Sequence, residues 1–67
     1  MMTTITTCSA WLVHAGDKVA FQGTRYFVRS ARVLPTGQVD WEVNLIDEDM
    51  ARASVCMAES NQVEIIG

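Results

Sequence analysis

A chain of 67 residues has room for one domain around one small core. A domain of this size buries only about 60% of the surface its unfolded chain exposes, so its margin of stability is narrow. A hydrophobic fraction of 49% excludes a disordered tail, and a net charge of −3 is the wrong sign for a non-specific grip on phosphate backbones.

In chain order, the threonine-rich stretch Met1 to Thr7 reads as a frayed arm. Trp11, Leu12 and Val13 are expected to dock, because leaving large apolar groups in water forfeits roughly 1.5–3 kcal/mol each. The arm is taken as residues 1–13 and the folded domain as 14–67. "HAGD" supplies a turn at Gly16, and "DKVAFQ" alternates so that Val19 and Phe21 share a face. Gly23 turns the chain into "RYFVRSARVL", and "PTG" turns it again. Pro35 presets φ at the first turn position, and Gly37 suits the left-handed position closing a three-residue hairpin loop.

Setting Leu34 opposite Gln38 places Arg32 across from Asp40 and Ala31 across from Trp41. Opposite charges then share one face and apolar groups the other. Val39, Trp41, Val43 and Leu45 form the inward stripe. The same register points Arg29 inward, where a charge is costly. A β-bulge near Ser30 is therefore expected, returning Arg29 to solvent and turning Tyr26 and Val28 inward. After "IDEDM", "RASVCM" alternates with Ala53, Val55 and Met57 inward. "AESN" is expected to make one helical turn, and "QVEII" a last strand with Val63 and Ile65 inward.

Such a series of short strands, carried by "GDKVAFQGTRYFV", "GQVDWEVNLIDED" and "ASVCMAESNQVEII", resembles the SH3-like small β-barrels found in short phage and mobile-element proteins. The resemblance implies an all-β fold: a five-stranded SH3-like barrel with a short helical turn before the last strand. The plasmid-borne type II dihydrofolate reductases share that architecture and carry a Val-Gln-Ile-Tyr motif in their pore. The corresponding run here is Val55-Cys56-Met57-Ala58, which keeps only the valine, so that activity does not transfer.

The densest cluster of chemical groups is Asp47-Glu48-Asp49. It lacks the further ligands and glycine of a calcium loop and reads as a polar turn. Two cysteines make no disulfide framework, and one histidine without a CxxC pair makes no closed zinc site. His14 before a Gly-Asp turn reads as plain surface. No metal or cofactor is expected. The N-terminus lacks a basic region followed by a continuous apolar run, and no stretch is long enough for a membrane span, so a cytoplasmic, reducing setting without membrane contact is expected.

Arg25, Arg29 and Arg32 share a strand with Tyr26 and Phe27, a mixture that nucleic-acid surfaces use, but Asp40 and Glu42 stand opposite to neutralise it. With Tyr26 inward, Phe27 must point outward among the arginines, as an anchor for a protein partner does. Cys56 falls on the outward phase of its strand. Phe27, Arg25, Arg29 and Cys56 are the expected partner-binding residues. The function expected from them is non-enzymatic protein binding, with a host protein or a second copy of the chain as partner. An accessory or inhibitory role of the phage type is what the resemblance adds. The alternatives are a nucleic-acid module using Arg25, Arg29 and Arg32, and an oligomeric enzyme with a shared pore.

Overall fold

The computed structural model describes residues 6–66. Its elements are strand β1 (Thr6–Ser9), a 3-10 turn (Ala10–Leu12), β2 (Lys18–Phe21), β3 (Thr24–Val33), β4 (Gln38–Leu45), β5 (Ala51–Ala58) and β6 (Gln62–Ile65). They form one antiparallel sheet of six strands in the order β1-β6-β2-β3-β4-β5.

The all-β expectation holds, and the five-stranded closed barrel does not. β6 pairs with β2 on one side and β1 on the other, and among the described residues the end strands β1 and β5 do not pair, so the sheet stays open. Thr6–Ser9 makes the sixth strand, its Cα partners running from Thr6 opposite Ile65 to Ser9 opposite Gln62. β-Branched threonines favour this extended backbone. The helical turn is also misplaced in the sequence-based expectation. It lies at Ala10–Leu12, whereas Glu59 and Ser60 form a plain turn closed by the Asn61 amide donating to the Ala58 carbonyl at 3.0 Å.

The central meander follows local chemistry. Gln22 and Gly23 both adopt positive φ (52° and 78°), the two-residue turn whose twist matches the flanking strands, and it pairs Phe21 with Thr24. Gly37, at φ 83°, closes the β3–β4 hairpin, with the Leu34 amide donating to the Gln38 carbonyl at 2.7 Å. The register sets Arg32 opposite Asp40 and Ala31 opposite Trp41. Val28 pairs with Val43 and Ser30 with Glu42, which leaves Arg29 as the extra residue of a bulge. Without it Arg29 would enter the core; with it, Val28 is fully buried and Tyr26 packs on the core's flank.

The core consists of Ala10, Val13, Val19, Val28, Val39, Trp41, Val43, Met57 and Val63. Among the described residues, none of the buried side chains is polar or charged. Valine dominates because β-branched side chains fill a pleated surface at little entropic cost. Val13 docks as expected. Trp11 and Leu12 do not: they remain 53% and 43% exposed, because the 3-10 turn points Ala10 inward and its next two residues out. Residues 1–5 of the stretch expected to fray lie outside the described residues, whereas Thr6 and Thr7 belong to β1.

Candidate protein-binding site

The outer face of the sheet carries one apolar hollow with a basic rim. The β2–β3 register places Lys18 beside Phe27, and the β3–β4 register places Phe27 beside Asn44. Around Phe27, the side chains of Ile46, Met50 and Ile66 complete an open dish of about 350 Å³, with Lys18 and Arg25 on its rim. Backbone bonds tie its parts to the sheet. The Ile46 amide donates to the Arg25 carbonyl at 3.1 Å, and the Ile66 amide to the Lys18 carbonyl at 2.9 Å. Met50 and Ile66 are 46% and 39% exposed, whereas Phe27 is half-buried beneath its neighbours and not fully exposed.

The acidic turn links β4 to β5 and shapes one wall of the dish. The Glu48 amide donates to the Leu45 carbonyl at 3.1 Å and the Ala51 amide to the Glu48 carbonyl at 3.0 Å. Asp49 and Met50 both sit at positive φ, 55° and 60°. Left-handed backbone costs a side-chain-bearing residue roughly 1–2 kcal/mol, with Asp more tolerant than Met. Asn44 holds the turn in this state, its Nδ2 donating to the Met50 carbonyl at 2.7 Å. Strained backbone that presents an exposed apolar side chain is a common mark of a contact site. Met50→Gly should therefore raise or preserve the thermal midpoint, by relieving the left-handed strain, while weakening any partner that uses the dish. A clear loss of stability in a melting experiment would show that Met50 is held for the fold alone.

Asp47 has a specific task. It accepts from Arg25 Nε at 3.0 Å and from Arg25 Nη2, and this contact lowers the Asp47 carboxyl and raises the Arg25 guanidinium relative to their ordinary values. A carboxylate depressed in the fold stabilises it above the ordinary carboxylate range, and that contribution is lost as pH falls through the lower folded value. Both groups are about half exposed, so the effect is small. Asp47→Asn should melt slightly below the parent at neutral pH and together with it in strong acid. Among the described residues, no three His, Cys, Asp or Glu side chains converge as metal ligands. Replacing Asp47, Glu48 and Asp49 by Asn, Ser and Asn should leave melting insensitive to magnesium and calcium. A rise of several degrees with either ion in the parent, absent from the triple variant, would overturn the assignment as a turn.

The residues expected to bind a partner do not all meet. Phe27 and Arg25 share the dish. Arg29 sits at the bulge, its Nη1 4.0 Å from a Glu42 carboxylate oxygen and its Nε buried without a partner among the described residues. Cys56 is exposed on β5, opposite Asp40. Cys8 is half-buried beside the core, and desolvation, then Asp17, push its thiol upward, so it stays protonated at neutral pH. The His14 imidazole is exposed; its backbone is engaged with Asp17, the amide donating to Asp17 Oδ2 at 2.9 Å and the carbonyl accepting from the Asp17 amide at 3.1 Å.

Lys18, Ile46, Met50 and Ile66 were not expected at the site. Lys18 was within reach, since the Gln22-Gly23 turn alone counts it back to a place opposite Phe27. The other three are apolar residues just outside the alternating pattern, a weaker signal. A second, smaller hollow of about 120 Å³ lies between the 3-10 turn and the β3–β4 hairpin, with Trp11 and Val33 on its rim and Trp41 in its lining. Trp41 Nε1 is buried and has no hydrogen-bond partner among the described residues. Comparison with protein-family models, with curated proteins and with solved structures finds no match for this chain.

Proposed function

We propose that this protein is a non-enzymatic binding module that takes a protein segment in the Phe27 dish. The observation that carries the proposal is a cluster of outward apolar side chains, two of them well exposed, edged by Lys18, which among the described residues has no carboxylate within salt-bridge distance, on a chain whose net charge is −3. Local basic charge on an acidic protein selects against general polyanion binding and favours one carboxylate placed beside an apolar anchor. The matching segment therefore joins a Leu, Met or aromatic residue to Asp or Glu. An accessory or inhibitory role toward a host protein would work by occupying such a segment; it rests on the sequence resemblance to small phage-type proteins.

Three ion pairs weigh against the nucleic-acid alternative. Arg25 contacts Asp47, Arg29 approaches Glu42, and Arg32 Nη2 lies 3.1 Å from Asp40 Oδ2. Each guanidinium that a phosphate would need already faces a carboxylate.

Selection from a random peptide library on the immobilised protein tests the proposal. Peptides pairing an apolar residue with Asp or Glu should be enriched, and a Phe27→Ala, Lys18→Glu double variant should enrich none of them. Enrichment that survives the double variant would place the site elsewhere. Retained nucleic acid whose affinity falls steeply with salt would favour the arginine-strand alternative instead.

A further inference from the structure

The two edges of the sheet are unequal. Among the described residues β1 spans four, Thr6–Ser9, whereas β5 runs for eight in unbroken register with β4. Natural sheets blunt long edges with proline, lysine, bulges or a covering element. Ala51–Ala58 has no proline, lysine, glycine or bulge, and Arg52 is its only charge.

The hydrogen-bond phase of this edge follows from its far end. The Glu59 amide donates to the Gly37 carbonyl at 3.0 Å, and antiparallel ladders alternate, so Met57, Val55 and Ala53 bond to β4. The backbone groups of Arg52, Ser54, Cys56 and Ala58 then point to the open side. The Leu34–Gln38 bond sets the same phase independently from the β3 side of β4.

We propose that β5 pairs antiparallel with β5 of a second copy, with Val55 facing the partner's Val55 across the two-fold axis. In this register Arg52 lies opposite the partner's Ala58, and Ser54 opposite the partner's Cys56. All four open positions of each copy are used, and inward residues stay on the inward face. A shift of one residue would set inward side chains against outward ones, and a shift of two would leave open backbone groups unpaired. The pairing also separates the two Arg52 side chains, which lie at opposite ends of the paired strands. Among the described residues, Arg52 has no carboxylate within salt-bridge distance. Ala53 and Val55, only half-buried at the rim of the core, gain the partner's Met57 and Val55 as neighbours. The inference is independent of the dish, which lies on the outer face.

Sedimentation equilibrium of the full chain, from low micromolar to several hundred micromolar, should show a monomer–dimer equilibrium. Ser54→Pro removes an amide that points to the open side and has no partner among the described residues, and should give a folded monomer, whereas Ala53→Pro should unfold. The register has its own test in a Cys8→Ala, Cys56→Ser background. Residues directly opposite at a non-hydrogen-bonded pair have Cα atoms about 4.5 Å apart, within disulfide reach. Val55→Cys should therefore form a covalent dimer with oxidised glutathione. Ser54→Cys, diagonal to its own copy at about 7–8 Å, should not. A monomer throughout the concentration range, a dimer that survives Ser54→Pro, or cross-linking of Ser54→Cys as fast as Val55→Cys would overturn the proposal.

Discussion

Trp41→Ala should leave this chain largely unfolded at room temperature. The indole is fully buried, sits between Ala31 on β3 and Val55 on β5, and is the largest side chain in a core otherwise built mainly of valines. Small neighbours cannot collapse into the space it would vacate, so the lost transfer energy and the cavity add, for about 3–5 kcal/mol. Native domains hold only about 5–15 kcal/mol in total, and one this small sits at the low end. Trp41→Phe separates size from polarity. It keeps a ring but removes Nε1, a buried donor with no partner among the described residues, and such an orphan costs about 1–3 kcal/mol. That relief should offset much of the lost volume. Urea melts of both variants check the contrast: a Phe variant as damaged as the Ala variant would mean that the amine is satisfied by water.

Phe27→Ala should abolish most of the affinity for a peptide selected on the parent protein while leaving the fold intact. Phe27 points outward and is half-buried, so its loss opens no core cavity. Aromatic anchors at the centre of an interface commonly contribute 2 kcal/mol or more, about a thirty-fold change in Kd. Lys18→Glu should act differently. It reverses the charge at the rim of the dish and should slow association more than it speeds dissociation, with a defect that shrinks as salt rises. Arg25→Glu should be the milder charge reversal, because Asp47 already holds that guanidinium. Calorimetric titration and stopped-flow binding distinguish these outcomes. Equal loss for all three variants, with no salt dependence, would point to a general disturbance of the face.

Much of the central meander was legible because its determinants are local. Pro35 and Gly37 set the hairpin loop, the loop set the pairing of Arg32 with Asp40, and the cost of an inward arginine required the bulge at Arg29. The acidic turn was legible for the same reason, since Asp and Glu beside a chain reversal need no distant partner. The site was legible only where it lay on these strands. Phe27 and Arg25 followed from strand phase; Met50 and Ile66 did not, because residue 50 reaches the dish through a left-handed turn and residue 66 through a strand paired to β2.

By itself, then, the order of residues determined the alternation and the inward faces of β2 to β6 and the turns from β2 to β5, because each depends on neighbours a few positions away. Tertiary structure decided how the ends of the chain are used. Thr6–Ser9 pairs with Gln62–Ile65 across more than fifty residues, and no local signal distinguishes that pairing from a loose arm. With β1 beyond β6, the sheet ends on β1 and β5, which do not pair, and among the described residues an eight-residue edge is left open. Closure or openness is a property of which backbone groups remain unpaired after all strands have assembled, and no strand encodes it alone.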